Sequence, residues 1–148
     1  MQLLFEEPMV FVCRTDHVLA GRSRFRLADV ATEDLVGLPP GFGLRTLVDD
    51  ALHAVGVSAR TQYEVPAGFA AIAELVRNGL GTAFMPRSEA HRLDGLASIA
   101  LTDPLLWQVY LASRPMDQLT AATSVLAEMI LEAAVGARKK SKSVRGGT

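Results

Sequence analysis

The side chains that could carry chemistry are few, and they are scattered along the sequence. The histidines His17, His53 and His91 are far apart, and no two of them have the spacing of metal ligands on one helix. Cys13 is the single cysteine, so it offers neither a thiolate metal site nor an internal disulfide. We therefore expect no metal ion and no cofactor.

Nucleophilic and acid–base catalysis also find little support. Ser88 precedes Glu89 and His91, but no serine has the GxSxG surroundings of a nucleophile elbow. A short helix capped by Ser88 is the better interpretation of this polar run. Asp49 and Asp50 are neighbours, so on a helix they point about 100° apart and do not converge as a catalytic dyad must. The residues predict no enzyme.

One segment favours ligand binding. In the run PPGFGLRTL, two glycines flank Phe42 just before an amphipathic helix, where free N–H groups and the helix dipole attract anions. An arginine in the first turn is unfavourable against that dipole, and an anionic guest would relieve the cost. The alternative is a plain surface arginine on a capped helix. The predicted binding loop comprises Gly41, Phe42, Gly43, Leu44 and Arg45.

Composition bounds the class of protein. The 148 residues are 49% hydrophobic and 21% charged, with a net charge of −1, as in one ordinary globular domain. No apolar run approaches the length of a membrane span. The first residues lack the positive start of a signal peptide, so we expect a cytoplasmic protein. The final run ARKKSKSVRGGT is basic and poor in apolar residues, and we expect residues 136–148 to be a disordered tail.

The middle of the chain alternates between strand and helix patterns. PMVFVC is a buried strand, an apolar stripe from Leu44 to Val55 predicts a helix, and residues 60–65 alternate as a strand. A second helix from about Ala67 leads into a strand at 82–85. Both helices end at a glycine followed by an apolar residue, which is typical of left-handed helix caps. The pattern predicts a β-α-β-α-β run with a largely parallel, buried sheet.

The last third adds a short helix near residues 88–93, strands at 97–101 and 105–113, and a final helix from about 119 to 135. Trp107 and two residues at i+2 and i+4 share one face of the long strand. Gly136 is expected to end the final helix. The apolar stripe predicted for that helix consists of Leu119, Ala122, Leu126, Met129, Ile130 and Ala133.

The order of these segments resembles the effector-binding domain of LysR-type transcriptional regulators over residues 3 to 131. EEPMVFVCRTDHVLAG is similar to the family's hinge strand, although Val18 replaces a usual proline. FRLADVATEDLVGL and LVRNGLGTAFMP resemble two further family phrases, the second closed by Pro86. Each phrase alone is weak, but together and in this order they are specific.

The resemblance implies an α/β, periplasmic-binding-protein-like (type 2) fold, with one subdomain complete and the other partial. Residues 1–14 would be the hinge strand and a remnant of subdomain I, 15–102 subdomain II, and 103–135 the return strand and final helix of subdomain I. A small molecule would lie between the subdomains, against the Gly41–Arg45 loop and the turn at Pro66, Ala67 and Gly68. Pro66 has no N–H to donate, which weakens anion capture at that position.

The resemblance also implies partners. We expect a small organic effector, with an anion favoured, and a homo-oligomer in the full-length form. DNA would be held only through an N-terminal helix-turn-helix that this sequence lacks. Either the chain is a truncated or mis-started gene product, or it is a stand-alone remnant with a different role. The final helix would then expose apolar area. Two alternatives stay open, a solute-binding protein of the same fold and a small α/β enzyme.

Overall fold

The structure is a computed structural model that describes residues 1–58 and 60–144, with side-chain environments up to residue 136 except at 116. These described residues form seven strands, four α-helices and two short 3-10 turns, at Leu27–Thr32 and Met116–Gln118. The strands are β1 Gln2–Arg14, β2 Arg24–Phe25, β3 Asp34–Gly37, β4 Arg60–Glu64, β5 Ala83–Pro86, β6 Leu96–Leu101 and β7 Leu106–Leu111. The helices are α1 Gly43–Ala54, α2 Phe69–Arg77, α3 Arg87–His91 and α4 Ala121–Val144.

The chain divides into two compact units. Unit 1 contains residues 1–6 and the segment from 108 onwards, and unit 2 contains residues 7–107. Unit 2 is continuous in sequence, and its two ends lie side by side, because the N–H of Met9 donates to the carbonyl of Leu105 at 2.8 Å. These divisions fall after residues 6 and 107, whereas the sequence placed them after 14 and 102. Equating the units with two family subdomains stays a proposal.

The strands form a mixed sheet. The larger sheet has the order β2-β6-β1-β5, and β7 also pairs with β1. β1 is antiparallel to both β5 and β6, so that Phe11 faces Phe84 on one side and Ile99 on the other. β3 and β4 form a parallel pair, which a bridge between Leu35 and Thr82 joins to the start of β5. The predicted parallel arrangement therefore holds for β3, β4 and β5, but it is wrong for β1, because the chain enters unit 2 against their direction.

β1 is the centre of the core. Its alternate residues Met9, Phe11 and Cys13 pack into one apolar cluster, which includes residues of α1, while Val10 and Val12 pack into a second cluster with residues of α2. Both faces of the strand are thus buried, which explains why PMVFVC is apolar throughout instead of alternating.

The ends of α1 and α2 follow the predicted glycine device. Gly56 and Gly79 have φ of 75° and 77°, in the left-handed region that glycine adopts without strain. The N–H of Val57 donates to Leu52 at 2.9 Å, and the N–H of Leu80 donates to Leu75 at 3.1 Å. These bonds close the last turn of each helix as a Schellman motif does. The prediction of two glycine-capped helices is confirmed.

The C-terminal helix differs from expectation. α4 passes through Gly136 and continues to Val144, so the expected end at Gly136 and the disorder expected up to residue 144 are wrong. Residues 145–148 lie outside the described part. Gly136 does not have a positive φ, and alanine, arginine and lysine after it favour helix.

The apolar stripe predicted for α4 is also misplaced. Ala127 is buried, whereas Leu126 and Met129 are 57% and 61% exposed. Apolar residues occupy more of the circumference of α4 than a single stripe, so the pattern did not identify which face packs against the rest of unit 1.

Candidate functional site

The predicted binding residues lie at one edge of unit 2. β3 and β4 are parallel, so both strands end at the same edge of their sheet, and each is followed by a loop and a helix. The α1 and α2 N-termini therefore meet the carboxyl edge of this sheet. In open α/β sheets, ligands commonly bind outside this edge.

The start of α1 leaves backbone donors available. Gly41 has φ of 96°, and Phe42 occupies the N-cap position without a side-chain capping bond. The N–H of Thr46 makes the first intrahelical bond, to the carbonyl of Phe42 at 3.1 Å. The N–H groups of Gly43, Leu44 and Arg45 precede that bond, as the first donors of any helix do. Gly41, Phe42 and Gly43 are exposed, so no packed hydrocarbon covers this loop.

The start of α2 has the same character. The N–H of Val65 donates to Gly37 at 2.9 Å and fixes the end of β4 beside β3. Pro66 and Ala67 form an exposed turn. Gly68 is the N-cap, with φ of 91° and no side-chain capping bond. The three N–H groups from Phe69 onwards are thus left without intrahelical acceptors. Two uncapped helix N-termini occur at one edge of unit 2.

Arg45 has partners within the chain that the sequence did not indicate. Its Nε donates to Asp49 at 2.7 Å, and its Nη1 donates to Glu64 at 3.1 Å and to the carbonyl of Leu38 at 2.9 Å. Burial lowers the pKa of Arg45, but the hydrogen bonds to Asp49 and Glu64 outweigh it, so the pKa lies above its usual value. Carboxylates of the chain itself already relieve the unfavourable charge in the first turn. Arg45 thus fastens α1 to the ends of β3 and β4, and its place in a ligand site stays a prediction.

A small cavity lies beneath these helix starts. It measures about 30 Å³, which is about the volume of one or two water molecules and far below that of a ligand pocket. Leu44 and Arg45 line it, whereas the other six predicted residues do not. The cavity does not enclose a small organic molecule, so a ligand of these residues would rest on the exposed side of the loops. The cavity is lined by Met9, Leu35, Val36, Gly37, Leu38, Leu44, Arg45, Val48, Asp49, Thr61, Phe69, Ile72 and Phe84.

Sequence reasoning missed a polar contact at the same edge. Glu7 accepts hydrogen bonds of 2.8 Å from both the backbone N and the Oγ of Ser88. The N-cap of α3 is Pro86, without a side-chain bond, so the prediction that Ser88 caps its own helix is wrong. Glu7 performs that task from β1, whose Met9 lies opposite Pro86 of β5. No local signal marks this pair, because it depends on the register of two strands distant in sequence.

Among residues 1–58 and 60–144, no three His, Cys, Asp or Glu side chains come together to hold a metal ion. No helix there is long and apolar enough to cross a membrane.

The fold and the exposed helix starts define an α/β ligand-binding domain of the periplasmic-binding-protein-like, type 2 class. Residues 1–135 match the model of the LysR substrate binding domain, and the chain belongs to this family. The prediction from the sequence phrases is confirmed.

Solved structures with similar folds include three regulatory domains. The effector binding domain of QuiR, in complex with shikimate, is 19% identical with a TM-score of 0.73, over 91% of this chain and 65% of that one. The CcmR regulatory domain from Synechocystis PCC6803, in complex with 2-PG, is 22% identical with a TM-score of 0.70, over 90% of this chain and 65% of that one. The regulatory domain of MetR from N. meningitidis is 22% identical with a TM-score of 0.76, over 91% of this chain and 63% of that one. The chain thus spans about 65% of the length of these domains, and the likeness establishes a shared fold.

Proposed function

We propose that this chain is the effector-sensing part of a LysR-type transcriptional regulator, and that it binds a small organic anion at the carboxyl edge of unit 2. The observation that carries the proposal is the pair of uncapped helix N-termini at that edge. The amides of Gly43, Leu44 and Arg45 would face the anion from α1, and those after Gly68 would face it from α2. Pro66 and Ala67 would contribute shape alone.

The chemistry of the edge supports an anion more than a cation or a neutral ligand. Backbone N–H groups at a helix start are donors, and the helix dipole adds a positive potential there. Arg45 adds to this potential, although Asp49 and Glu64 neutralise much of its charge. The amides would therefore provide most of the attraction. Family membership and the shikimate bound to the similar QuiR domain support a small carboxylate.

The remaining roles follow from the proposed class of regulator. The chain would act in the cytoplasm, without catalysis, and within a homo-oligomer. A separate domain would contact specific DNA sites, and the ligand would change how that oligomer holds DNA. A solute-binding protein and a small enzyme are the competing hypotheses, and the match to the LysR family favours neither of them.

Thermal unfolding with a panel of small carboxylates, including shikimate, tests the proposal, because a ligand that binds the native state raises the apparent melting temperature. The decisive variant is Gly43→Pro. Gly43 is the first residue of α1, and Phe42 before it has φ of −80° and ψ of 132°, which suits a residue that precedes proline. Proline is well tolerated at the first helical position, so this change removes one N–H and leaves the helix intact.

Gly43→Ala is the matched control, because it keeps the N–H and a Cβ there meets nothing within 4 Å. We expect a carboxylate that stabilises the wild-type protein and Gly43→Ala to lose most of its effect on Gly43→Pro. Equal stabilisation of all three proteins would show that the start of α1 does not belong to the binding site. A panel without any stabilising carboxylate would contradict the anion proposal.

A further inference from the structure

Three arginines form a row on unit 2 that the proposed function does not use. Arg22, Arg24 and Arg26 alternate along the run RSRFR. Phe25 is fully buried and Leu27 is buried. β2 consists of Arg24 and Phe25, and Arg26 after it has an extended backbone, so Arg24 and Arg26 project from the face opposite the buried Phe25. Arg22 lies beyond a bend at Ser23. We call these three residues the arginine row.

The arginine row is held in place by the chain. Asp29 accepts a hydrogen bond of 2.9 Å from Arg22 and one of 3.1 Å from Nη2 of Arg26. Nη1 of Arg24 donates to the carbonyl of Leu101 at 3.2 Å. The side chains of Arg22 and Arg26 remain 49% and 70% exposed, whereas that of Asp29 is 19% exposed. One largely buried carboxylate therefore positions two guanidinium groups that still face solvent.

The row carries more positive charge than its partners neutralise. Among the contacts described above, Asp29 is the one carboxylate partner; it pairs with Arg22 and Arg26, whereas Arg24 contacts a carbonyl. The next exposed carboxylate along the paired strand is Asp103, which follows Thr102, whose N–H donates to Phe25 at 2.9 Å. The chain as a whole has a net charge of −1, so its bulk charge conceals this local excess.

We propose that the arginine row binds the phosphate backbone of duplex nucleic acid. Nη1 of Arg22 and Nη2 of Arg26 both contact the Asp29 carboxylate, so two guanidinium groups, on either side of Arg24 in the sequence, lie together and present concentrated positive charge to a phosphate. Guanidinium groups bind phosphate with paired hydrogen bonds. Each arginine of the row has further N–H donors beyond those used internally. β2 is also the terminal strand of its sheet, so no further strand of that sheet lies beyond the row.

The affinity of such a contact depends on phosphate charge and not on base sequence. It would be weak, independent of base sequence and strongly dependent on salt, because binding releases counterions from the phosphates. It would add to specific recognition by another domain, and it does not depend on the effector site of unit 2.

Fluorescence anisotropy with a labelled duplex of about 20 base pairs and arbitrary sequence tests the proposal between about 50 and 200 mM salt. The wild-type protein is compared with Arg22→Gln/Arg24→Gln/Arg26→Gln and with a charge-matched control, Arg60→Gln/Arg92→Gln/Arg114→Gln. Arg60 and Arg92 have side chains 73% and 74% exposed and one acidic partner each. All three proteins keep the basic residues beyond 137, so that segment contributes equally.

We expect the row variant to bind at least about tenfold more weakly at low salt, with a logarithmic salt slope less negative by about 2. The control variant should keep most of the affinity and slope. Equal losses in the two variants would overturn the proposal. Tighter binding of a polyglutamate peptide than of the duplex, abolished in the row variant, would also overturn it in favour of an acidic protein partner.

A gain-of-binding variant covers the case in which the triple substitution unfolds the protein. Asp103→Asn removes the nearby exposed carboxylate and no arginine. It should tighten duplex binding by about two- to threefold at low salt. Unchanged affinity in Asp103→Asn, with native thermal unfolding, would count against the row as the contact surface.

Discussion

The carboxylate of Glu7 and the start of α3 at Ser88 are joined by two hydrogen bonds of 2.8 Å, although 81 residues separate them in sequence. One charged acceptor thereby satisfies the backbone and side-chain donors of a helix start that has no cap of its own. The contact fixes α3 against β1 at the edge of unit 2 where α1 and α2 also begin.

Removing either partner of this contact should destabilise unit 2. Both Glu7→Gln and Ser88→Ala should lower the free energy of unfolding by about 1 kcal/mol, because each weakens a hydrogen bond to a charged group at a partly exposed site. Urea unfolding followed by circular dichroism measures the change. Glu89→Gln is the control, since its 3.5 Å contact with Arg92 is long, and it should change stability by less than about 0.5 kcal/mol. Equal effects of Glu7→Gln and Glu89→Gln would contradict this account.

Gly81 should not tolerate a side chain. It has φ of 153°, and a Cβ there would overlap the carbonyl oxygen of Asp34 at the start of β3. Gly81→Ala should therefore cost about 3 kcal/mol or more in unfolding free energy, since rigid backbone must move.

Gly136→Ala is the matched substitution with the opposite expected sign. Gly136 lies inside α4, and a Cβ there meets nothing within 4 Å, so alanine should stabilise the helix by about 0.5–1 kcal/mol. Guanidinium denaturation of both variants gives the comparison. Loss of stability in Gly136→Ala would mean that α4 ends before that residue in solution.

Removing the hydroxyl of Thr82 should stabilise the protein. The residue is 2% exposed, and within the described residues its Oγ1 has no hydrogen-bond partner. A buried hydroxyl without a partner pays a desolvation cost and gains nothing in return. Thr82→Val, of the same shape, should raise the free energy of unfolding by about 1 kcal/mol, as measured by thermal unfolding. Thr32→Val, at an exposed position, serves as control, and destabilisation by Thr82→Val would reveal a bound water at Oγ1.

The single thiol should make stability fall at high pH. Burial, followed by the nearby Glu33 carboxylate, raises the pKa of Cys13 from 9.0 to about 11. Between these two values, the unfolded chain loses the thiol proton while the folded chain keeps it, so rising pH favours unfolding. The thiol leaves the free energy of unfolding unchanged below pH 9. By about pH 11 it has lowered this free energy by roughly 2–3 kcal/mol.

Urea unfolding of the wild-type protein and of Cys13→Ala at a series of pH values isolates this effect. The wild-type curve should fall more steeply than that of Cys13→Ala between pH 9 and 11. Parallel curves would show that the thiol is not shielded. At pH 8, the native protein should also resist a thiol-specific reagent until denaturant is added, because Cys13 is 0% exposed.

The predictable parts of the fold are those that local chemistry fixes. Gly56 and Gly79 predict helix ends, because the left-handed conformation at a helix end strongly favours glycine. The all-apolar run PMVFVC within β1 indicates burial on two faces. The direction of β1 was not predictable, because antiparallel and parallel neighbours bury the same residues and differ only in how the chain is routed.

The candidate site divides in the same way. The glycine-flanked loop before α1 was visible in the sequence, since its conformation depends on Gly41 and its neighbours. The contact between Arg45 and Glu64 was not visible, because Glu64 reaches Arg45 only when β4 lies beside β3. The face of α4 that packs was ambiguous for a related reason: apolar residues on several sides of a helix do not identify their neighbour.

The adjacent ends of unit 2 have a practical consequence. Because Met9 and Leu105 are bonded to each other, residues 7 and 107 are close enough for a short linker to replace the rest of the chain. A circularly permuted unit 2, opened at the exposed loop around Gly21, should therefore keep its strand order. We therefore expect that unit 2 can be inserted as a whole into another protein, together with any effector site built on it.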